Sequence, residues 1–281
     1  MLYRKMPKVK EELSVLGFGC MRLPLQEDGL LDRKRAIDQI RTSIDNGVNY
    51  LDTAWPYHSG ESEPLLGEAL GDGYREKVYV ATKLPSWMVQ SRAEMDDYLT
   101  KQLQRLQVEN IDFYLIHNLN GPMWERLKEM QVLDFIDKAR ASGKIRYAGF
   151  SFHGHIADFK TIIDDYDWEF CQIQYNYLDE FHQAGREGLE YAAAKDLGVV
   201  VMEGLRGGSL GAPEQPPEIA KILNEADDKR TPVEWALRWI WDHPEVAVVL
   251  SGMNEEAHIE ENLNIAEVAA ANSLTDAERS I

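Results

Sequence analysis

Apolar and polar positions along the chain form two alternating patterns. Short segments rich in Val, Ile, Leu, Tyr and Phe predict strands, and a longer segment with helical spacing of its apolar residues follows each of them. The predicted strands are VLGFGCM, NYLD, VYVATK, IDFYLIH, RYAGFS, FCQIQYN, GVVVME and VAVVLSG. The predicted helices are RKRAIDQIRTSIDNG, SEPLLGEALG, RAEMDDYLTKQLQRL, WERLKEMQVLDFIDKARASG, HIADFKTIIDD, REGLEYAAAKDLG, PVEWALRWIWDH and EEAHIEENLNIAEVAA. Eight strands in strict alternation with eight helices predict a closed parallel (β/α)8 TIM barrel, a single domain over residues 1–281.

The spacing of the strand ends agrees with repeated strand–helix units. The predicted ends are Gly19, Asp52, Lys83, His117, Ser151, Gln172, Met202 and Ser251. Most successive ends are separated by roughly the 30 residues of one such unit. The last and longest interval contains GGSLGAPEQPPEIAKILNEADDKR, which predicts a loop with a short extra helix. An open doubly wound sheet is the alternative fold, but it more often has fewer units and a glycine-rich first turn.

Residues at the helix ends carry further signals. Gly47, Gly143 and Gly198 follow predicted helices and are typical of left-handed C-caps. Near the last residue, Ser273 or Thr275 is typical of the N-cap of a further helix that barely begins. This ending indicates a truncated chain or a shortened relative of a longer protein.

Composition and charge exclude several classes of protein. A hydrophobic content of 44% is enough for a large core, and a net charge of −18 argues against nucleic acid or an acidic membrane as a partner. No apolar segment approaches the roughly 20 residues of a membrane helix, and the N-terminus has no apolar signal core. Cys20 and Cys171 are the only cysteines, which predicts a reducing, cytoplasmic location. We expect no metal site, because two isolated cysteines are too few for a metal cluster.

Four polar residues lie at or beside three consecutive strand ends. Asp52, Lys83 and His117 end the second, third and fourth predicted strands, and Tyr57 lies in the loop after the second. In a barrel these side chains converge on one rim. A carboxylate stabilises the lysine ammonium, and that ammonium lowers the pKa of a nearby phenol from about 10, so that the phenol can protonate a carbonyl oxygen. The alternatives are a structural Asp–Lys ion pair, or a Schiff-base aldolase or lyase that uses Lys83 as its nucleophile.

The segments around these residues resemble a known family. LDTAWPYHSGESEPLLGEAL, VATKLP and DFYLIHNL are similar to signature segments of the aldo-keto reductases, and the similarity extends from LGFGCMRLP to GMNEEAHIEENL. The resemblance implies a (β/α)8 barrel that reduces aldehydes and ketones with NADPH as cofactor, and NADH is the alternative cofactor. It implies Tyr57 as proton donor, Lys83 as its pKa-lowering partner, Asp52 as the acid that pairs with this lysine, and His117 as the residue that orients the substrate carbonyl. A nucleotide-binding regulatory subunit with little turnover is a further alternative.

The resemblance also implies a nicotinamide cofactor that lies extended across the barrel mouth. The residues implied at its nicotinamide end are Gly19, Cys20, Met21, Asp52, Ser151, Gln172 and Met202. Ser151 and Gln172 fall where the family holds the carboxamide, but the usual asparagine after this serine is replaced by Phe152. Met202 either stacks on the ring or caps the barrel as a core methionine.

The other end of the cofactor would contact two later segments. The residues implied there are Leu205, Gly207, Gly208 and Leu210 in a glycine-rich loop, and Ser251, Gly252, Met253, His258 and Asn262 at the last helix. Many NADPH-using members have Lys and Arg at the positions of Gly252 and His258, and Glu255 and Glu256 are expected to repel a 2′-phosphate. Arg206 either compensates or lies on the surface. Cofactor preference therefore stays open.

The predicted substrate pocket is apolar. It consists of Met21, Trp55, Trp87, Met123 and Trp124, which favours apolar or aromatic small-molecule carbonyls. The segments LGFGCMRLP, MEGLRGG and SGMNEEAHIEEN are most similar to a prokaryotic branch of the family, many of whose members carry a cysteine-rich C-terminal extension with a four-iron cluster. A longer form with that extension would have a redox partner.

Overall fold

A computed structural model describes residues 1–226 and 228–279. Eight parallel strands close into a barrel in chain order, and the last of them pairs with the first. The strands are β1 (Tyr3–Lys5), β2 (Glu12–Ser14), β3 (Leu16–Gly19), β4 (Tyr50–Asp52), β5 (Tyr79–Leu84), β6 (Ile111–Leu119), β7 (Ile145–Phe152), β8 (Phe170–Gln174), β9 (Gly198–Met202) and β10 (Val246–Ser251). Strands β3 to β10 form the barrel, so the predicted (β/α)8 fold is confirmed.

Helices surround this barrel. They are α1 (Arg33–Asp45), α2 (Ser62–Ala69), α3 (Arg92–Leu106), α4 (Gly121–Glu129), α5 (Val132–Ala141), α6 (Ile156–Asp165), α7 (Gly185–Ala194), α8 (Pro217–Glu225), α9 (Pro232–Trp241), α10 (Glu256–Ala266) and α11 (Asp276–Arg279). The prediction of one helix over WERLKEMQVLDFIDKARASG is wrong, because Gln131 has a left-handed φ of 62° and separates α4 from α5. The extra helix predicted before the last strand is confirmed as α8.

The helix ends agree with the sequence at some positions. Gly47 and Gly143 have φ of 96° and 73°, as left-handed caps require. Gly198 does not cap a helix, since it begins β9 and Asp196 provides the left-handed turn with φ of 59°. Glycine is favoured at position 198 for another reason, because a Cβ there would overlap with the Met6 side chain. For α11, Thr275 is the N-cap, because its Oγ1 accepts from the Glu278 N–H at 3.2 Å.

An N-terminal hairpin, absent from the sequence prediction, closes one end of the barrel. Strands β1 and β2 are antiparallel, with Tyr3 opposite Ser14. The turn between them contributes Met6 and Val9, which pack in one buried cluster with Phe113 and other residues inside the barrel. The hairpin thus covers this end of the barrel, and the carboxyl ends of the strands lie at the opposite end.

Strand register brings the polar residues of the opposite end together. Asp52 is opposite Ala81, two residues before Lys83, and Lys83 is opposite Leu115, two residues before His117. Side chains two residues apart lie on the same face of a strand. The stagger that closes a barrel thus places all three polar side chains at one rim. No helix within the described ranges is both long and apolar enough to cross a bilayer.

Candidate active site

Three of the four predicted catalytic side chains form a compact group, in which Lys83 and Asp52 are buried and Tyr57 is partly buried. Lys83 Nζ donates to Asp52 Oδ1 at 2.5 Å and to the Thr53 carbonyl at 2.8 Å, and it lies 3.5 Å from the Tyr57 hydroxyl oxygen. Gln172 Nε2 donates to the other Asp52 oxygen at 3.3 Å. Lys83 is 1% exposed and Asp52 is 3% exposed. The predicted convergence of strand ends is therefore present as direct contacts.

The electrostatics of Lys83 favour a permanent ammonium. Burial alone would lower its pKa, but the neighbouring Asp52 and Tyr57 outweigh burial and raise the pKa of Lys83 above its ordinary value. Nζ is also surrounded by the oxygens of Asp52, Thr53 and Tyr57. Lys83 is thus a fixed positive charge beside the phenol.

The pKa of Tyr57 differs from the sequence prediction. Burial raises its pKa above the ordinary value, and the Lys83 ammonium opposes this effect without reversing it. Lys83 therefore acts on the pKa of Tyr57 in the predicted direction, but burial outweighs it, because a phenolate loses favourable hydration when it is removed from water. At neutral pH the phenol therefore retains its proton, as a proton donor must.

His117 is a neutral imidazole next to the phenol. Its ring centroid lies 6.0 Å from that of Tyr57 and 5.0 Å from that of Trp87. Burial, followed by the charges of Lys83 and His153, lowers the pKa of His117 well below its usual value. Its Nδ1 is buried and has no hydrogen-bond partner among the described residues. His117 is therefore an uncharged ring beside the Tyr57 phenol.

A buried glutamate behind Lys83 was missed by sequence reasoning. Glu63 on α2 is fully buried, and its Oε1 accepts from Thr82 Oγ1 at 2.8 Å and from Gln102 Nε2 at 2.7 Å. Gln102 also donates to the Lys83 carbonyl at 2.9 Å. Arg105 lies 3.3 Å from the other Glu63 oxygen. This network fixes the backbone of β5 at Lys83. The available signal in the sequence was Glu63, the second acid of GESEPLLG, which lies on the apolar face of the predicted helix.

The predicted nicotinamide residues lie around the same rim. Gln172 and Ser151 are adjacent across β7 and β8, and both are 1% exposed. Gln172 Oε1 is buried and unpartnered within residues 1–226 and 228–279. Ser151 Oγ accepts the Asn118 N–H at 2.8 Å, so its own proton is available to an acceptor. Phe152 is fully buried and contacts Phe159 instead of the mouth.

The other residues predicted at the nicotinamide end differ in how far their side chains reach the barrel mouth. Gly19 pairs with Asp52 at the end of β3, and Met21 is 55% exposed beside the mouth. Cys20 is fully buried, so only its backbone can contact a cofactor. Met202 ends β9 and is partly exposed, so both of its predicted roles stay open.

The glycine-rich segment after β9 forms a tight turn. Gly207 and Gly208 have φ of 66° and 98°, which glycine adopts without strain. The N–H groups of Gly208 and Leu210 both donate to the Leu205 carbonyl, at 2.9 and 3.1 Å. Leu210 is buried and anchors the turn. A phosphate would therefore depend on other donors in this segment.

Arg22 is a cation that sequence reasoning missed. Its side chain packs over Gly252, where an added Cβ would lie 3.0 Å from Arg22 Cβ. Its Nη2 lies 3.4 Å from the position of a Cβ at Gly207. Arg22 is exposed and joins the two segments predicted to hold the cofactor phosphates. It directly follows Met21, and this adjacency was the available signal.

The residues predicted to bind the cofactor near α10 differ in their burial. Asn262 Nδ2 donates to Ser251 Oγ at 2.8 Å, and both side chains are buried. Met253 is also fully buried, whereas His258 is exposed on α10. Asn262 therefore fixes the end of β10, and its predicted contact with adenine would need a partner that reaches below the surface.

The two glutamates predicted to repel a 2′-phosphate share one cation, which reduces their charge but leaves a net negative charge. Arg35 on α1 binds both, with Nη2 2.5 Å from Glu255 Oε2 and 2.5 Å from Glu256 Oε2. Hydrogen bonds from Arg35 and Gln39 lower the pKa of Glu256 to about 2. Sequence reasoning could not find this pairing, because Arg35 is distant in the chain.

Arg206, the predicted compensating cation, is itself engaged. Its Nε lies 3.1 Å from Asp179 Oδ2, in the loop after β8. The same Asp179 oxygen accepts from Gln174 and Asn176 at 3.1 and 3.0 Å. Arg206 therefore fixes the glycine-rich turn to the neighbouring loop.

The residues predicted for the substrate pocket lie in different surroundings. Trp87 is 43% exposed and contacts His117, which places it at the mouth with Met21. Trp55 is partly buried, with the Arg105 guanidinium 3.4 Å from its ring centroid. Met123 is partly buried, with its Sδ 3.1 Å from Arg126.

The assignment of Trp124 to the substrate pocket is wrong. Trp124 is 1% exposed, donates from Nε1 to Asp165 at 2.8 Å and packs against Trp168. It belongs to the core, because the inner face of α4 covers the barrel at this point. In the part of the chain that the structure describes, no three His, Cys, Asp or Glu side chains are placed to hold a metal ion.

Fold and site together define a (β/α)8 barrel whose Asp–Lys pair, tyrosine and neutral histidine meet at the carboxyl ends of the strands. Active sites of this fold lie at that end. The family model described as "Aldo/keto reductase family" matches residues 15–274, and the chain belongs to this family.

Individual relatives agree with this membership. Probable aldo-keto reductase 1 of Glycine max is 32% identical over 150 residues, which cover 50% of this chain and 42% of that protein. Methylglyoxal reductase YeaE of Escherichia coli (strain K12) is 29% identical over 150 residues, covering 53% of this chain and 50% of that protein. The chain thus matches about half the length of these curated relatives. The holo form of aldo-keto reductase AKR11C1 from Bacillus halodurans is 26% identical, with a TM-score of 0.82 over 100% of this chain and 94% of that one.

Proposed function

We propose that the protein reduces aldehydes or ketones to alcohols, with hydride from NADPH or NADH and a proton from Tyr57. The observation that carries the proposal is the 3.5 Å contact of the Tyr57 hydroxyl with Lys83, which is itself paired with Asp52 at 2.5 Å. Electrostatic interactions between buried groups are stronger than those in water. The group is therefore suited to release a proton and to stabilise the charge that is left.

Each residue of this group has a separate part in proton donation. The oxygen of a carbonyl gains negative charge as hydride adds to its carbon, and the Tyr57 hydroxyl donates a proton to it. Lys83 lowers the free energy of the phenolate that forms, and Asp52 holds Lys83 in place. A neutral imidazole has one N–H, and we assign that of His117 to the same carbonyl oxygen.

The residues at the rim fit a nicotinamide dinucleotide. Its nicotinamide ring, when bound, supplies the hydride. The buried, unpartnered Gln172 Oε1 is an acceptor for a carboxamide N–H, and the Ser151 hydroxyl is a donor for a carboxamide oxygen. Arg22 is suited to a phosphate group, because it is an exposed cation beside Gly207 and Gly252. The Cβ position of the neighbouring Gly208 is open, so a ligand can approach the backbone there.

Small carbonyl compounds with apolar or aromatic substituents fit this mouth best. Trp87 and Met21 are the exposed apolar side chains beside the catalytic group. Ligand sites of this kind are mostly apolar with a few polar groups that fix orientation. The E. coli relative is named a methylglyoxal reductase, which supports the inclusion of small aldehydes.

The two other functions considered from the sequence are not favoured. A Schiff-base aldolase or lyase needs a neutral lysine amine, whereas Asp52 and Tyr57 raise the pKa of Lys83 and surround its Nζ. A regulatory subunit without turnover has no need of the complete group of Asp52, Tyr57, Lys83 and His117.

The experiment that tests the proposal is Tyr57→Phe. We expect NADPH oxidation with a simple aromatic aldehyde to fall at least about a hundredfold, the low end for general acid catalysis. Binding of NADPH, measured by quenching of tryptophan fluorescence, should change little. Unchanged turnover in this variant would remove Tyr57 from its role.

A further inference from the structure

Three consecutive residues directly after Tyr57 have backbone angles that L side chains rarely adopt. The φ angles are 50° at His58, 55° at Ser59 and 94° at Gly60. Glycine adopts such angles freely, but His58 and Ser59 are strained there. Residues of this kind persist only where surrounding contacts fix them, and they cluster at functional sites.

A contact made by the His58 ring accounts for its conformation. His58 Nε2 accepts a hydrogen bond from the backbone N–H of Leu23 at 3.1 Å. Leu23 is 2% exposed, and it lies in the loop after β3, two residues beyond Met21. A buried N–H without a partner is costly. The imidazole therefore supplies the acceptor that the buried Leu23 N–H needs.

The acceptor role requires a neutral ring. Burial lowers the pKa of His58, and a backbone hydrogen bond at Met21 opposes this effect only in part. The backbone of the same turn is closed independently, since the Glu61 N–H donates to the His58 carbonyl and the Tyr57 N–H donates to the Ala54 carbonyl, both at 3.1 Å. The ring thus adds a link at Leu23 to two others nearer β3, from the Cys20 N–H to the Asp52 carbonyl at 2.8 Å and from Ser62 Oγ to the Cys20 carbonyl at 3.0 Å.

We propose that His58 is a positioning residue that sets the loop after β3 against Tyr57. The inference rests on the proposed carbonyl reduction. Gly19 at the end of β3 and Met21 in this loop are assigned to the nicotinamide end, and Tyr57 is the assigned proton donor. One side chain therefore joins the segment next to the hydride donor to the segment that carries the proton donor. His58 touches neither reacting atom, and it acts by fixing their relative position.

Four variants separate the hydrogen bond from the backbone strain. His58→Gly removes the acceptor and relieves the strain, whereas Ser59→Gly relieves the same type of strain and leaves the acceptor in place. His58→Asn tolerates the left-handed angle, but its amide is too short to reach Leu23. His58→Gln restores an acceptor of similar reach. The chain already holds Gln107, Gln131 and Gln183 at φ of 55°, 62° and 56°, so glutamine is compatible with this backbone.

The readouts are the single-turnover rate of NADPH oxidation with an aldehyde, the Kd of NADPH, and hydrogen exchange at the Leu23 amide. We expect His58→Gly and His58→Asn to lower the rate at least about tenfold, because small misplacements of reacting groups have effects of about this size. His58→Gln should stay within about threefold and Ser59→Gly within about twofold of the wild type. The Kd should change less than about threefold in all four, since the phosphates bind elsewhere.

Several outcomes would overturn the positioning role. These are rates within twofold of the wild type for His58→Gly and His58→Asn, a His58→Gln enzyme no faster than His58→Gly, or an equal loss in Ser59→Gly. If His58→Gly does not fold, the comparison of His58→Asn with His58→Gln decides. Faster hydrogen exchange at the Leu23 amide in the His58 variants, together with unchanged reduction rates, would overturn the positioning role and leave the hydrogen bond itself supported. A wild-type protein that binds NADPH but reduces no carbonyl would instead overturn the proposed function, and the positioning role with it.

Discussion

Replacement of Lys83 by methionine separates the two effects of the buried ion pair. The change keeps a long apolar side chain and removes the ammonium that lies 2.5 Å from Asp52 and 3.5 Å from the Tyr57 hydroxyl. Asp52, 3% exposed, is left without its cation. The variant should therefore lose stability through Asp52 and activity through Tyr57.

The structure gives an order of magnitude for each effect. At 3.5 Å and an effective dielectric constant of about 20, an ammonium stabilises a full negative charge on the tyrosine oxygen by about 4.7 kcal/mol. If roughly half of this charge is present in the transition state, about 2.4 kcal/mol is lost, or about 50-fold in rate. Leaving one partner of a buried pair alone costs about 3–5 kcal/mol of stability.

The double variant Asp52→Asn with Lys83→Met is the matched control. It removes the unpaired carboxylate, so urea denaturation should show recovery of most of the lost free energy of unfolding. The rate of aldehyde reduction should stay low, because the phenolate still lacks its ammonium. Activity of Lys83→Met within fivefold of the wild type would refute this reasoning, and so would recovery of activity in the double variant.

Two further predictions concern His117 and the cofactor. The pKa of His117 is lowered by burial and by Lys83, so below its unfolded pKa of about 6.5 the unfolded chain binds a proton that the folded chain does not. The free energy of unfolding of the wild type should then fall with decreasing pH more steeply than that of His117→Asn, by up to about 1.4 kcal/mol per pH unit. Urea denaturation that shows the same loss of stability between pH 7.5 and pH 5.5 in both proteins would contradict this. Because Arg35 and Arg206 are both held in ion pairs, the Kd values of NADPH and NADH should lie within about tenfold of each other at pH 8. Arg35→Ala should weaken the binding of NADPH more than that of NADH, because it leaves Glu255 and Glu256 without their cation. Arg41→Ala, on the same helix, should not have this effect. A wild-type preference for NADPH above a hundredfold would contradict this reasoning.

The meeting of the proposed catalytic residues was predictable from the sequence, because it depends on the spacing of the strands and on the barrel topology. An acid, a lysine and a histidine at three successive strand ends must meet once the strands form a parallel barrel. Asp52, Lys83 and Tyr57 accordingly contact each other. The direction of the Tyr57 pKa was not predictable, since it depends on how completely the barrel mouth buries the phenol.

Features that depend on distant packing were missed. Strands β1 and β2 have three residues each, too few for a periodic signal. The break between α4 and α5 rests on the left-handed angle of Gln131, a residue without a strong turn preference. The pairing of Arg35 with Glu255 joins residues from opposite ends of the chain.

Aromatic residues show the same limit. Trp87 and Trp124 both follow strand ends and are equally large, but one lies at the mouth and the other in the core. Only the direction of α4 against the barrel separates them, and the sequence alone contains no comparable signal.

The most direct test of carbonyl reduction follows a hydrogen atom from cofactor to product. The protein is mixed with an aromatic aldehyde and with NADPH or NADH carrying deuterium at the transferable position of the nicotinamide ring, and the alcohol is examined by mass spectrometry. Hydride transfer with proton donation by Tyr57 requires one deuterium on the carbinol carbon, none on its hydroxyl after exchange with water, and at least about a hundredfold less labelled product with Tyr57→Phe. An alcohol without deuterium, or no alcohol from any of a panel of aldehydes and ketones in the presence of bound cofactor, would contradict the proposed reaction.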